Sequence, residues 1–89
     1  MKYRNRTDIT AQILEVAASG PVTKSMIMYK AFLSSNHLKE YLSTLMEKGL
    51  ITYIPAENKY KTTEKGIVLL KMMDELSRFI NSTSNEIRS

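Results

Sequence analysis

Between Ser34 and Gly49, the polar residues Ser35, Asn36, His37, Lys39, Glu40, Ser43 and Thr44 are threaded among apolar ones at a helical period. With Leu38 at zero on a wheel of about 100° per residue, Tyr41, Leu42 and Leu45 fall within roughly 60° of it, and Asn36, His37, Glu40, Ser43, Thr44 and Glu47 occupy roughly 140–260°. One side of this helix is apolar, and the other is a row of hydrogen-bonding groups without a nucleophile. That chemistry suits edge recognition. Asn36 offers the donor–acceptor pair that matches adenine, Ser43 and Thr44 can meet either base type, and Glu40 can accept from cytosine but repels phosphate. His37 reads either as a groove or phosphate contact or as a helix-start side chain with no partner. Lys39, at the edge of the same face, and Lys59 and Lys61 further on are point charges suited to holding phosphates. Arg4 and Arg6, with Lys2 and Tyr3, form a basic start that can follow a groove. The plainer alternative for the whole set is a solvated helix face beside a basic terminus.

Other chemistry is poorly supplied. Cysteine is absent and His37 is the one histidine, so thiol nucleophiles, disulfides and multi-histidine metal centres are excluded. No glycine-rich phosphate cradle occurs. The carboxylates and lysines repeat no catalytic spacing, so neither an enzyme nor a cofactor is expected. Apolar runs stop at four residues (Met26–Tyr29, Ile67–Leu70), far short of the roughly 20 needed to span a bilayer. The start, MKYRNRTDIT, lacks the apolar stretch of a secretory signal. Eighty-nine residues suit one small domain, and a cytoplasmic, nucleoid-associated location is the expectation.

Charge divides the chain. Thirteen Lys and Arg against nine Asp and Glu give +4. Residues 1–62 hold nine basic and five acidic side chains, and residues 63–89 hold four of each, so the whole excess precedes residue 63. A basic part joined to a neutral helical part suggests that the first meets a polyanion and the second meets protein.

The elements follow from period and punctuation. Ile9, Ile13, Val16 and Ala17 lie on one helix face, with Thr7 or Asp8 as its cap and Ser19-Gly20-Pro21 as its end. Val22-Thr23 is a short extended link. Thr23 caps a second helix from Lys24 to about Phe32, with Ile27, Met28, Ala31 and Phe32 inward. Leu33-Ser34-Ser35 breaks it, and a third helix runs from about 35 to 48 with Leu38, Tyr41, Leu42, Leu45 and Met46 inward, ended by Gly49. The period then changes to two. Residues 50–54 and 59–62 form a hairpin about Pro55-Ala56-Glu57-Asn58, with Tyr60 inward and Lys59 and Lys61 outward. Thr62 or Thr63 caps a last helix.

This order, three helices, a hairpin and a helix, is that of a winged helix-turn-helix: mainly α with a small β-hairpin, plus a long C-terminal helix. The units are a basic flexible arm (1–6), the winged domain (7–62) and the C-terminal helix (63–89), frayed after Asn81 where Asn-Ser-Thr-Ser-Asn is a poor helix former. Within that last helix, Leu69, Met73, Leu76, Ile80, Thr83 and Ile87 repeat at 4-3-4-3-4, and Met72 and Phe79 widen the stripe. The seam of Leu69, Met72, Met73, Leu76, Phe79 and Ile80 predicts a homodimer. In an antiparallel pair, Lys71 and Arg78 of one chain face Asp74 and Glu75 of the other. Of the six methionines, Met26 and Met28 read as core and Met72 and Met73 as seam, and a small-molecule effector pocket is the lesser alternative.

Three separated motifs carry a resemblance over about residues 6–80. They are Ile13-Leu14; Thr23 to Ala31 followed by Leu33-Ser34, Leu38, Tyr41-Leu42, Leu45 and Lys48-Gly49-Leu50-Ile51; and Tyr60-Lys61-Thr62-Thr63-Glu64-Lys65-Gly66. Together they resemble the archaeal winged helix-turn-helix DNA-binding family of about ten kilodaltons. The resemblance implies binding of double-stranded DNA by a dimer joined through an antiparallel coiled coil of C-terminal helices. Its members resemble transcription regulators or chromatin proteins. Glu40 departs from the family's pattern, which favours a neutral or basic residue there. The expectation is therefore a sequence-specific transcriptional regulator with the third helix in the major groove and the wing on the backbone. The alternatives are an architectural chromatin protein with little sequence preference and a protein-docking winged helix.

Overall fold

A computed structural model describes residues 4–88, with side chains through Ile80. Six elements follow in order: α1 (Arg6–Val16), α2 (Lys24–Ala31), α3 (Ser35–Glu47), β1 (Ile51–Ile54), β2 (Lys59–Thr62) and α4 (Glu64–Arg88). The fold is mainly helical with a two-stranded antiparallel hairpin, as the sequence order predicts. None of the described helices is long and apolar enough to cross a membrane.

α1 begins earlier than its apolar period suggests. The cap is Asn5, not Thr7 or Asp8: Asp8 N–H donates to the Asn5 side chain (2.8 Å), and Asn5 N–H donates to the Asp8 carboxylate (3.2 Å). Each side chain thus satisfies a backbone donor that the helix start leaves open. α2 is capped by Thr23 and α3 by Ser34, whose hydroxyls accept from Met26 N–H and His37 N–H.

α2 closes on Phe32, which has left-handed backbone (φ 53°, ψ 52°), an uncommon conformation for a bulky residue. Phe32 was expected inward. Its ring is instead 79% exposed, because the reversal that ends the helix swings this side chain off the inner face. Met26 and Met46 are also exposed rather than packed, and Met28 is half-buried.

One core closes the first five elements. Ile13, Leu14 and Ala17 of the α1 segment meet Ile27 and Ala31 of α2, Leu38, Tyr41, Leu42 and Leu45 of α3, and Leu50 and Ile51 before and in β1. The hairpin register pairs Ile51 with Thr62 and Tyr53 with Tyr60. Val22 joins as an isolated bridge, exchanging both backbone bonds with Tyr60 (2.9 and 2.7 Å), so the link before α2 is pinned to the wing. Thr62 is buried, and its hydroxyl donates to Leu14 O (2.7 Å), one of the carbonyls that the end of α1 leaves open. No described buried side-chain polar atom lacks a partner.

α4 leaves this core through a tight junction. Thr63, one of the two caps the sequence offers, accepts from Gly66 N–H (3.1 Å) and donates to Gly49 O (2.6 Å). Lys65 Nζ donates to Lys48 O (2.8 Å) at the end of α3. Gly66 is required by space: a Cβ there would overlap Leu50 O and the Thr62 methyl. Leu69 and Leu70 pack on the core. Beyond them the helix runs out from the domain, giving the molecule extents of 53 × 28 × 20 Å. Thr83 and Ile87, the last seam positions, lie outside the residues with described side chains.

Candidate nucleic-acid interface

α3 divides as its period requires. Leu38, Tyr41, Leu42 and Leu45 are buried, and Ser35, Asn36, His37, Lys39, Glu40, Ser43 and Thr44 are all exposed. The 13 residues make a rod of about 20 Å at 1.5 Å per residue, long enough to lay its outer face along a DNA groove. The Ser34 cap, the buried face and Gly49 in left-handed backbone (φ 73°) fix both ends of the rod.

The wing stands beside it. Lys61 is exposed, whereas Lys59 and Tyr60 are both half-buried, with Tyr60 packed against the core, so burial separates Tyr60 from Lys61 as strand alternation requires but does not leave Lys59 fully outward. Tyr60 stacks on Tyr53 with ring centres 5.0 Å apart. Tyr53 OH donates to the Asn58 side chain (2.5 Å), and Asn58 takes the left-handed conformation (φ 55°) that the turn needs and that Asn tolerates well. The wing tip is thereby held by its own side chains.

Helix and wing meet in a groove lined by Lys39, Leu42, Ser43 and Met46 of α3, Tyr60 of β2 and Lys24 at the start of α2. Two residues that the sequence singles out, Lys39 and Ser43, are thus brought next to the wing strand. Lys24 was not singled out. A signal existed: lysine in the first turn of a helix opposes the positive end of the helix dipole, and α2 has no acidic residue there to offset it.

Arg4 and Arg6 lie elsewhere. The Arg4 guanidinium donates to Ala31 O (2.5 Å) and Phe32 O (3.1 Å) at the end of α2, and to the Gln12 side chain (2.5 Å). Open carbonyls at the negative end of a helix are natural acceptors for its planar fork. Arg6 is the first residue of α1 and sits over the Tyr41 ring, 5.1 Å from its centre. These two arginines, expected in a free arm, are exposed but tie the start of α1 to the end of α2 and to Tyr41 of α3. Lys2 and Tyr3 lie outside the described residues.

The seam predicted on α4 is divided too. Leu69 packs on the core, and Met73 is half-buried in a cleft shared with Thr7, Asp8 and Ala11 of α1. Met72, Leu76, Phe79 and Ile80 are exposed, as is Val68. Arg78, expected to reach a second chain, pairs with Asp74 of its own helix (2.7 Å), since residues four apart share a helix face.

A family model described as winged helix-turn-helix matches residues 3–81 of the chain. Among solved structures, the chain is similar to Sso10a-2, a DNA-binding protein from Sulfolobus solfataricus, with a TM-score of 0.74 over 94% of this chain and 93% of that one at 19% identity. Such a likeness speaks to the fold. No match was found among curated protein sequences.

Proposed function

From the premise that this chain belongs to the winged helix-turn-helix family, we propose that it is a homodimeric, sequence-specific DNA-binding transcriptional regulator. The observation that carries this reading is the exposed polar face of α3 lying against a lysine-bearing wing across one groove. On this reading α3 enters the major groove, where Asn36, Ser43 and Thr44 read base edges and Glu40 selects cytosine while discouraging close phosphate approach. Lys59 and Lys61 hold the flanking backbone. The named function of Sso10a-2 agrees with this reading.

The dimer rests on α4. Leu76 and Phe79, 58% and 69% exposed, form with Met72 and Ile80 an apolar stripe that the winged domain of the same chain does not cover. Full burial of such a side chain contributes roughly 1.5–3 kcal/mol, so four from each of two chains supply at most about 12–24 kcal/mol against an association cost of about 4–15 kcal/mol. A second copy, antiparallel, covers the stripe and sets the winged domains at opposite ends.

Fluorescence anisotropy with labelled duplexes tests the DNA reading. Affinity is expected to fall as salt rises, through release of condensed counterions. Lys59→Glu with Lys61→Glu weakens binding on all sequences alike, and Asn36→Ala chiefly alters preference among them. No binding at low salt, even to the gene's own upstream DNA, would overturn the reading in favour of protein docking. Equal affinity for upstream and random duplexes would replace the regulator with an architectural protein.

A further inference from the structure

We infer that Lys24 and Lys39 form a single phosphate clamp at the junction of α2, α3 and the wing, taking one phosphodiester of the DNA backbone; this rests on the DNA-binding reading above. Three observations carry it. First, the two lysines come from different helices, fifteen positions apart, and line the same groove. Like charges gathered in one concavity repel unless an anion joins them. Second, neither ammonium has a carboxylate partner among the described residues, where the one ion pair is Arg78–Asp74. Third, Lys24 stands in the first turn of α2 with no acidic residue beside it, a position that disfavours a cation unless an anion compensates.

The rest of the groove suits that ligand. Leu42 and Met46 provide an apolar floor along which the lysine stems can lie while their charged ends stay at the opening. The groove adjoins the base-reading face, because Lys39 and Ser43 belong to both. A phosphate held here would fix the depth of α3 against DNA, between base contacts on one side and the wing lysines on the other. Such a contact positions the helix and reads no sequence.

The test is the salt dependence of binding to a random-sequence 20-base-pair duplex, for wild type, Lys24→Gln, Lys39→Gln and the double variant. Circular dichroism melting checks that each variant is folded. Each neutralised phosphate contributes about 0.9 to the slope of log K against log salt. The double variant is expected to lose about 0.9 per bound winged domain and to bind about eightfold more weakly at 0.1 M salt, equally on all sequences. A double variant with the wild-type slope would overturn the clamp while leaving the DNA reading intact. A loss of about 1.8 per bound winged domain would overturn the sharing of one phosphate, since it counts two. A wild type that does not bind the duplex would overturn both readings together.

Discussion

The first turns of α4 and its last described turns are built from similar residues in opposite surroundings. Gly66 is wedged against Leu50 and Thr62, and Leu69 and Leu70 pack on the core, with Thr63 and Lys65 bonded back to Gly49 and Lys48. Leu76, Phe79 and Ile80 are more than half exposed. The difference teaches that the winged domain covers its own apolar faces, whereas the distal helix leaves its apolar stripe in water. Apolar surface there is as costly to leave in water as anywhere else, so its cover is sought in a second copy.

Five variants probe that contrast. The largest effect is expected at Leu76→Glu: burying an unpaired carboxylate costs several kcal/mol, so self-association should weaken on the order of a thousandfold or more. Sedimentation should then shift from about twice 10.2 kDa toward the single-chain mass. A wild type that sediments as a monomer at micromolar concentration would break the comparison. Next, Leu38→Ala in the core should cost about 2–5 kcal/mol at any protein concentration, measured by denaturant unfolding, whereas Phe79→Ala should leave the unfolding of a dilute, dissociated sample unchanged.

A smaller loss is expected at the junction. Gly66→Ala should destabilise by about 1–3 kcal/mol through overlap with Leu50 O and the Thr62 methyl, reversing the gain of about 1 kcal/mol that alanine brings to an open helix site. Thermal melting reads the sign. Smallest is Lys65→Ala, which removes a charged cap on Lys48 O and should cost about 0.3–1 kcal/mol at low ionic strength, fading with added salt.

The legible parts of this fold were those governed by local period. The buried and exposed faces of α3, the separation of Tyr60 from Lys61 and the cap at Thr23 all depend on neighbours within about one turn or one strand. Phe32 was misjudged because its apolar character pointed inward while the left-handed backbone that ends α2 pointed it out. The contacts of Arg4 and Arg6 were not legible because their partners, Ala31, Phe32 and Tyr41, are distant in sequence, and a basic run gives no sign of open carbonyls elsewhere. Lys24 was missed for the same reason: its groove is assembled from three elements.

By itself, then, the sequence determined the number and kind of elements, which face of each helix is apolar, and the placement of basic charge before residue 63, because these follow from side-chain type and spacing along the chain. The tertiary structure alone decided that Leu69 and Met73 turn toward the winged domain while Met72 and Phe79 remain open, that Val22 pairs with Tyr60, and that the two arginines lock helices. Those outcomes depend on which surfaces meet when the core closes. A heptad stripe or a run of charge is compatible with several such meetings, and only the angle at which α4 leaves Gly66 selects one.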